Sequence, residues 1–267
     1  MAGKVYLVGA GPGDPELLTL KALRVLRIAD IVLHDSLVGR EILALAPRTA
    51  KVLDVGKRCG RKSLGQEEIN KLLVSYALLD LRVVRLKGGD PLIFGRAGEE
   101  IEALRNAGIE FEIIPGVTAA LGAAATAQIP LTHRRLSSAL TLVTNHHANE
   151  ADAEEWTPLT PSGGTLAIYM PGHDYAVTAK KLLGSGLRGT TPCVIISHAT
   201  SQNQQIHKTS IEDLPLSPHL PAPTLLLVGE VAGLAQATQA QADELIPSET
   251  HTDFLVEQPL RNQELAE

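Results

Sequence analysis

Cysteine is nearly absent from this 267-residue chain: Cys59 and Cys193 stand far apart with no CxxC. That excludes a disulfide framework, leaves no thiolate metal site and fits a reducing compartment. Aromatic residues make up only 3%, too few for the rows of rings on which single-stranded nucleic acids stack. With a formal net charge of -6 there is no overall basic character either, so a nucleic-acid partner is not expected. No apolar run approaches the roughly 18–20 residues a bilayer span needs, and the first residues lead into a strand instead of a charged-then-apolar signal. A cytoplasmic protein without a membrane partner is the expectation. The histidines add no metal site: His146 and His147 are adjacent, and no HExxH spacing occurs.

What is present is an alternation of two periods. Residues 4–8 are a short apolar run, Gly9-Ala10-Gly11-Pro12-Gly13-Asp14 is a turn, and the spacing predicts a helix over about 15–29 with Lys21, Arg24 and Arg27 as one wet stripe. Further strands are expected at 31–34, 51–55, 82–86 and 110–114, with helical segments at 66–79 and 98–107. Strands spaced by helices predict a parallel sheet with helices on its faces. Ser63-Leu64-Gly65-Gln66 fits a capping box opening the helix at 66. An alanine-rich helix at 118–127 follows, and a boundary is placed near Arg135. Strands at 139–144, 165–170, 193–197, 205–208 and 224–228, broken by Pro- and Gly-rich segments, predict a second, mixed αβ domain. The expected organisation is α/β: an N-terminal parallel-sheet domain over 1–135, a C-terminal mixed-sheet domain over 136–237, and an acidic, frayed tail over 238–267.

Ligands of open parallel sheets bind beyond the carboxyl ends of the strands. The unusual residues fall there: Gly9–Asp14, Asp35, Gly56-Lys57-Arg58, Lys87-Gly88-Gly89-Asp90-Pro91 and Pro115-Gly116-Val117-Thr118. Five special loops on one edge suggest one site, although Gly and Pro also punctuate ordinary αβ turns. The first loop begins like the dinucleotide fingerprint GxGxxG, but Asp14 replaces the third glycine and Pro12 lacks an amide. Asp14 serves equally as a helix cap before Pro15. Gly88-Gly89-Asp90 brings bare backbone and a carboxylate to the edge, suited to a cationic or ribose-bearing cofactor. Asp35 and Lys57, at the ends of neighbouring strands, form an acid/base pair or a surface salt bridge. Arg58, Arg61, Lys62, Arg96, His133, Arg134 and Arg135 are basic clusters in an acidic chain, fitting a polyanionic small substrate or a solvated face. His198 reads as structural before it reads as a cleft residue, and Cys59 has no histidine partner nearby.

Taken in order, Val8–Pro15 with Leu18–Ala22, Val55–Arg58, Gln66–Asn70, Val84–Pro91 and Ile129–Arg134 resemble the tetrapyrrole methyltransferases, which use S-adenosylmethionine, and among them the uroporphyrinogen-III C-methyltransferases. The similarity runs from about Val5 to Leu234. It implies a two-domain protein with the cofactor in the cleft between the halves, commonly as a homodimer. Matched motif by motif, Pro12, Gly88, Gly89, Asp90, Ile93, Thr118, Ala119, Met170 and Ala199 would contact the cofactor. Asp35 would accept and Lys57 donate a proton, in agreement with their positions. The implied reaction moves two methyl groups to ring carbons C2 and C7 of uroporphyrinogen III, through precorrin-1 to precorrin-2, for sirohaem or cobalamin biosynthesis, with S-adenosylhomocysteine left behind. The eight carboxylates of that macrocycle would meet Arg58, Arg61, Arg96, His133 and Arg134. The chain departs from the family pattern where Thr126-Ala127-Gln128 replaces Tyr-Ala-Gly, Arg135 replaces Asp, Pro171 interrupts Tyr-Met-Gly, and Ala97 replaces the first Gly after Arg96. Nothing before Met1 supplies the dehydrogenase and ferrochelatase module of some relatives, so other proteins are expected to take the later sirohaem steps. Competing expectations are methylation of a later corrin precursor, a binding module without turnover, and a nicotinamide oxidoreductase.

Overall fold

The computed structural model describes residues 3–56, 64–145 and 163–235. β1 (Val5–Gly9), β2 (Ile31–His34), β3 (Lys51–Asp54), β4 (Val83–Lys87) and β5 (Phe111–Ile114) form a sheet in the order β3-β2-β4-β1-β5, every neighbouring pair parallel. Its inner strands are near-continuous apolar runs because helices cover both faces. Alternate residues divide between those faces. Leu7, Leu33 and Val83 pack with Ile69 and Leu73 of α3 (Gln66–Leu78) and Leu104 of α4 (Ala97–Asn106), whereas Val8, Val32 and Leu86 pack with Val25 and Leu26 of α1 (Leu20–Leu26).

The second sheet, β6 (Leu140–Thr144), β7 (Thr165–Tyr169), β8 (Pro192–Ser197), β9 (Gln205–Ser210) and β10 (Thr224–Val228), has the order β6-β7-β10-β8-β9. β6 and β7 are parallel and the other pairs antiparallel. This is the mixed sheet that the sequence pattern predicts. The alanine-rich helix, Ala119–Thr126, joins the two: it leaves the first sheet after β5 and packs Ala120, Ala123 and Ala124 onto Ala167, Val194, Ile196 and Leu225 of the second. Short side chains let its backbone come close. A Cβ on Gly122 would stand 2.6 Å from the Pro12 ring, so the first loop also rests on this helix.

Two local expectations need correction. The helix expected over 15–29 is a 3₁₀ turn, Pro15–Leu17, followed by α1. Asp14 caps the turn through Glu16 N–H (2.8 Å), and Thr19 interrupts the run by capping α1 through Ala22 N–H (3.1 Å). The N-cap of α3 is Gly65, whose N–H donates to the Glu68 carboxylate (2.7 Å). Gln66 instead reaches Asn70 and Glu100, and Ser63 lies outside the described residues. Two helices were not anticipated, α2 (Arg40–Leu43) and the one at Tyr175–Gly184 that covers the second sheet's other face. The expected tail lies outside the described residues.

Candidate active site

The chain leaves β1 for β2, which lies beyond β4, and leaves β4 for β5, which lies beyond β1. The two connections run in opposite senses, and a crevice opens where they diverge. There the first and fourth loops bind each other: Gly11 N–H donates to Gly89 O (3.2 Å) and Gly89 N–H to Gly11 O (2.7 Å). The fifth loop closes on both. A Cβ on Gly116 would lie 2.3 Å from Gly89 O, so only a bare backbone fits. Asp90 braces the assembly, accepting from Gly116 N–H (3.0 Å) and Leu92 N–H (2.8 Å).

Two adjoining cavities occupy the crevice. The smaller, about 220 Å³, is walled by the glycine-rich loops on one side and by Ile196, Ala199 and Pro223–Leu225 of the second sheet on the other. Every residue expected to contact the cofactor lines it: Pro12, Gly88, Gly89, Asp90, Ile93, Thr118, Ala119, Met170 and Ala199. Tyr169 also lines it. The phenol sits 2.6 Å from the Thr118 hydroxyl and accepts from Ala120 N–H (3.0 Å), and burial raises its pKa. Sequence reasoning gave this tyrosine no role, because nothing local shows that β7 meets the helix that Thr118 opens.

The larger cavity, about 720 Å³, is lined by Asp35, Gln66, Arg85, Lys87, Arg96 and Glu99 together with apolar residues of α3 and the fourth loop. Asp35, Phe94, Gly95 and Met170 line both cavities and so form the passage between them. Phe94 and Met170 hold left-handed backbones (φ 50° and 49°), and Phe94 rests against the Tyr169 ring with centroids 5.0 Å apart. Strained backbone of this kind persists only where its surroundings enforce it.

Beneath the larger cavity is a buried charge network. Arg85 pairs with Asp35 through one guanidinium nitrogen and donates to Glu100 through Nε (2.8 Å), while the Lys87 ammonium lies 3.0 Å from both Glu100 oxygens. Burial opposes the Arg85 charge, yet Asp35 and Glu100 outweigh it and hold its pKa above the ordinary value. For Lys87, burial and then the nearby Arg85 charge prevail, and its pKa is lowered.

The expected substrate residues are not gathered in one place. Arg96 lines the larger cavity, with its guanidinium forked onto Glu99 (2.7 Å twice). His133 and Arg134 line neither cavity. His133 instead closes a turn, bonding Ser137 through the backbone and accepting from Arg135 N–H at Nδ1 (3.2 Å). Lys57, Arg58 and Arg61 lie outside the described residues.

A narrow glycine-walled cavity thus opens onto a broad charged one at the switch point of a parallel α/β sheet, the place where such folds bind small molecules. Residues 4–215 match the family of tetrapyrrole (corrin/porphyrin) methylases. A uroporphyrinogen-III C-methyltransferase of Paracoccus denitrificans is 48% identical over 239 residues, 88% of this chain and 83% of that one. A sirohaem synthase of Yersinia enterocolitica is 49% identical over 233 residues, 87% of this chain but 49% of the relative. The chain thus spans about half the length of the sirohaem synthase it matches. Among solved structures, the Thermus thermophilus uroporphyrin-III C-methyl transferase complexed with S-adenyl homocysteine superposes with a TM-score of 0.76 at 38% identity, covering 87% of this chain and all of that one. The chain belongs to the tetrapyrrole methylases.

Proposed function

We propose that this protein transfers two methyl groups from S-adenosylmethionine to ring carbons of uroporphyrinogen III, giving precorrin-2 for sirohaem or cobalamin biosynthesis. The observation that carries the reading is the pair of cavities joined at Asp35, Phe94, Gly95 and Met170. The smaller fits the cofactor by its construction. Gly88 and Gly89 expose backbone to it, and Pro12, Ile93, Thr118, Ala119 and Ala199 give it a largely apolar wall. When bound, S-adenosylmethionine supplies a sulfonium methyl as electrophile.

The chain's own residues then provide orientation, worth up to about 7–11 kcal/mol in favourable cases. Phe94 and Met170 line the passage, while Asp35 faces both cavities as the group to accept a proton that the macrocycle releases once methylated. Lys57, following β3 beside β2, is the proposed proton donor. Arg96 gives the larger cavity a cation for carboxylates, and Arg58, Arg61, His133 and Arg134 complete the proposed substrate set. The domain limits of 1–135 and 136–237, a homodimer and a cytoplasmic setting belong to the same proposal. No described helix is long and apolar enough to cross a membrane.

The test is anaerobic incubation with uroporphyrinogen III and S-adenosylmethionine, followed by mass analysis of the tetrapyrrole and sedimentation of the protein. A gain of two methyl groups is expected. Saturable cofactor binding without any gain would move the substrate to a later corrin precursor or remove turnover altogether.

A further inference from the structure

Glu100 has no part in the proposed chemistry. It is fully buried in the first turn of α4 and lines neither cavity. Such a carboxylate is costly to bury unless it is paired and hydrogen-bonded. Glu100 receives Arg85 Nε at 2.8 Å, Lys87 Nζ at 3.0 Å on each oxygen, and Gln66 Nε2 at 3.3 Å. Arg85 and Lys87 are two apart on β4, so both project to the face that α3 and α4 cover. Glu100 meets them because α4 turns Ala97, Glu100 and Leu104 toward that face. The Arg85 guanidinium also donates to Leu33 O and Leu86 O (3.4 Å each), which leaves one direction for its last nitrogen, toward Asp35.

We infer that Glu100 and Lys87 are positioning residues: they clamp the Arg85 guanidinium so that it holds the Asp35 carboxylate in one orientation at the passage between the cavities. The inference rests on the proposed function and adds residues that touch neither ligand's cavity wall or only its floor. Stability gives no sufficient reason for the arrangement, since buried ion pairs are commonly replaced by apolar side chains without loss. Charge balance does explain its composition. Asp35 and Glu100 offset Arg85 and Lys87, so Arg85 can bridge to Asp35 without leaving a net buried charge.

The test uses the full chain and compares wild type, Glu100→Gln and the charge-balanced Glu100→Gln/Lys87→Gln variant, which guards against misfolding from one unpaired charge. With uroporphyrinogen III and S-adenosylmethionine, both variants are expected to lose about 10- to 100-fold in kcat. KM for each substrate and Kd for S-adenosylhomocysteine are expected to stay within about twofold. A role in folding alone would lower the yield of folded protein and leave kcat of the folded fraction unchanged, and that result overturns the inference. If wild type fails to methylate, the functional reading falls by itself. The link from Glu100 to Asp35 is then read from urea unfolding of Asp35→Asn, Glu100→Gln and the double variant. Non-additive effects support the clamp and additive ones overturn it.

Discussion

The two sheets bury different chemistry. Among the described residues, every buried arginine, lysine, glutamate and histidine, namely Arg85, Lys87, Glu100 and His34, belongs to the parallel sheet or the helices on it. The buried polar residues of the mixed sheet and its helix are serines and threonines such as Thr165, Thr178 and Ser197, and its one buried cysteine, Cys193, has its thiol pushed up to about 12 by burial. The parallel sheet gathers its strand ends, loops and helix N-termini on one edge, where charge can be stabilised and used. The mixed sheet presents Ile196, Ala199 and Leu225 as an apolar wall opposite. Among the described residues, one half buries charge and the other buries none.

The sharpest way to break this contrast is to remove charge from the parallel-sheet half. Asp35→Asn is expected to lower methyl transfer about 10²- to 10⁴-fold, with S-adenosylhomocysteine affinity within about twofold by calorimetry. Unchanged turnover would remove Asp35 from the mechanism. Next in size, Ile195→Ala in the apolar half deletes a fully buried side chain and is expected to cost about 2–5 kcal/mol in urea unfolding. The folded fraction should keep its turnover, and a large fall in kcat would show that this half does more than pack.

Gly116→Ala tests the seam between the loops. The added methyl meets Gly89 O at 2.3 Å, a strain expected to cost about 1–3 kcal/mol and to weaken cofactor binding, since Gly89 and Thr118 line that cavity. Gln128→Gly goes the other way. Gln128 follows the alanine-rich helix at φ 55°, where tetrapyrrole methyltransferases usually place glycine, and the exchange is expected to gain about 1 kcal/mol. A further effect is confined to alkaline pH. The Cys193 thiol ordinarily titrates near 9.0 and is held protonated to about 12 in the fold. The unfolded chain releases that proton first, so wild-type stability should fall relative to Cys193→Ala as pH rises from about 9 to about 12. Parallel curves over that range would show the thiol to be less buried than the structure places it.

The strands were legible because their cue is local. Short apolar runs bounded by Gly, Pro and Asp stand out in both halves, and residues 31–34 and 224–228 coincide with β2 and β10. The loops at the strand ends were legible for the same reason, and the residues expected around the cofactor do share one cavity. The helix at Tyr175–Gly184 escaped notice although Asp174 caps it through Val177 N–H (3.0 Å). Its buried positions, Tyr175, Thr178, Ala179 and Leu182, do follow helical spacing, but one of them is polar and one is small, which weakens the cue. The basic clusters were less legible, because charge counts carry no direction: the His133 imidazole takes part in a local turn.

The sequence by itself determined the class of fold and the edge at which the special loops gather, since these follow from short-range period and turn chemistry, while most of the residues around the smaller cavity were named through the family resemblance. Only the tertiary structure decided which charges meet. Arg85 lies 50 residues from Asp35 and 15 from Glu100, and Tyr169 lies 51 from Thr118. Such pairings depend on strand order and on which face each helix covers. Chain-local patterns do not encode these, because they are set by the packing of the whole core.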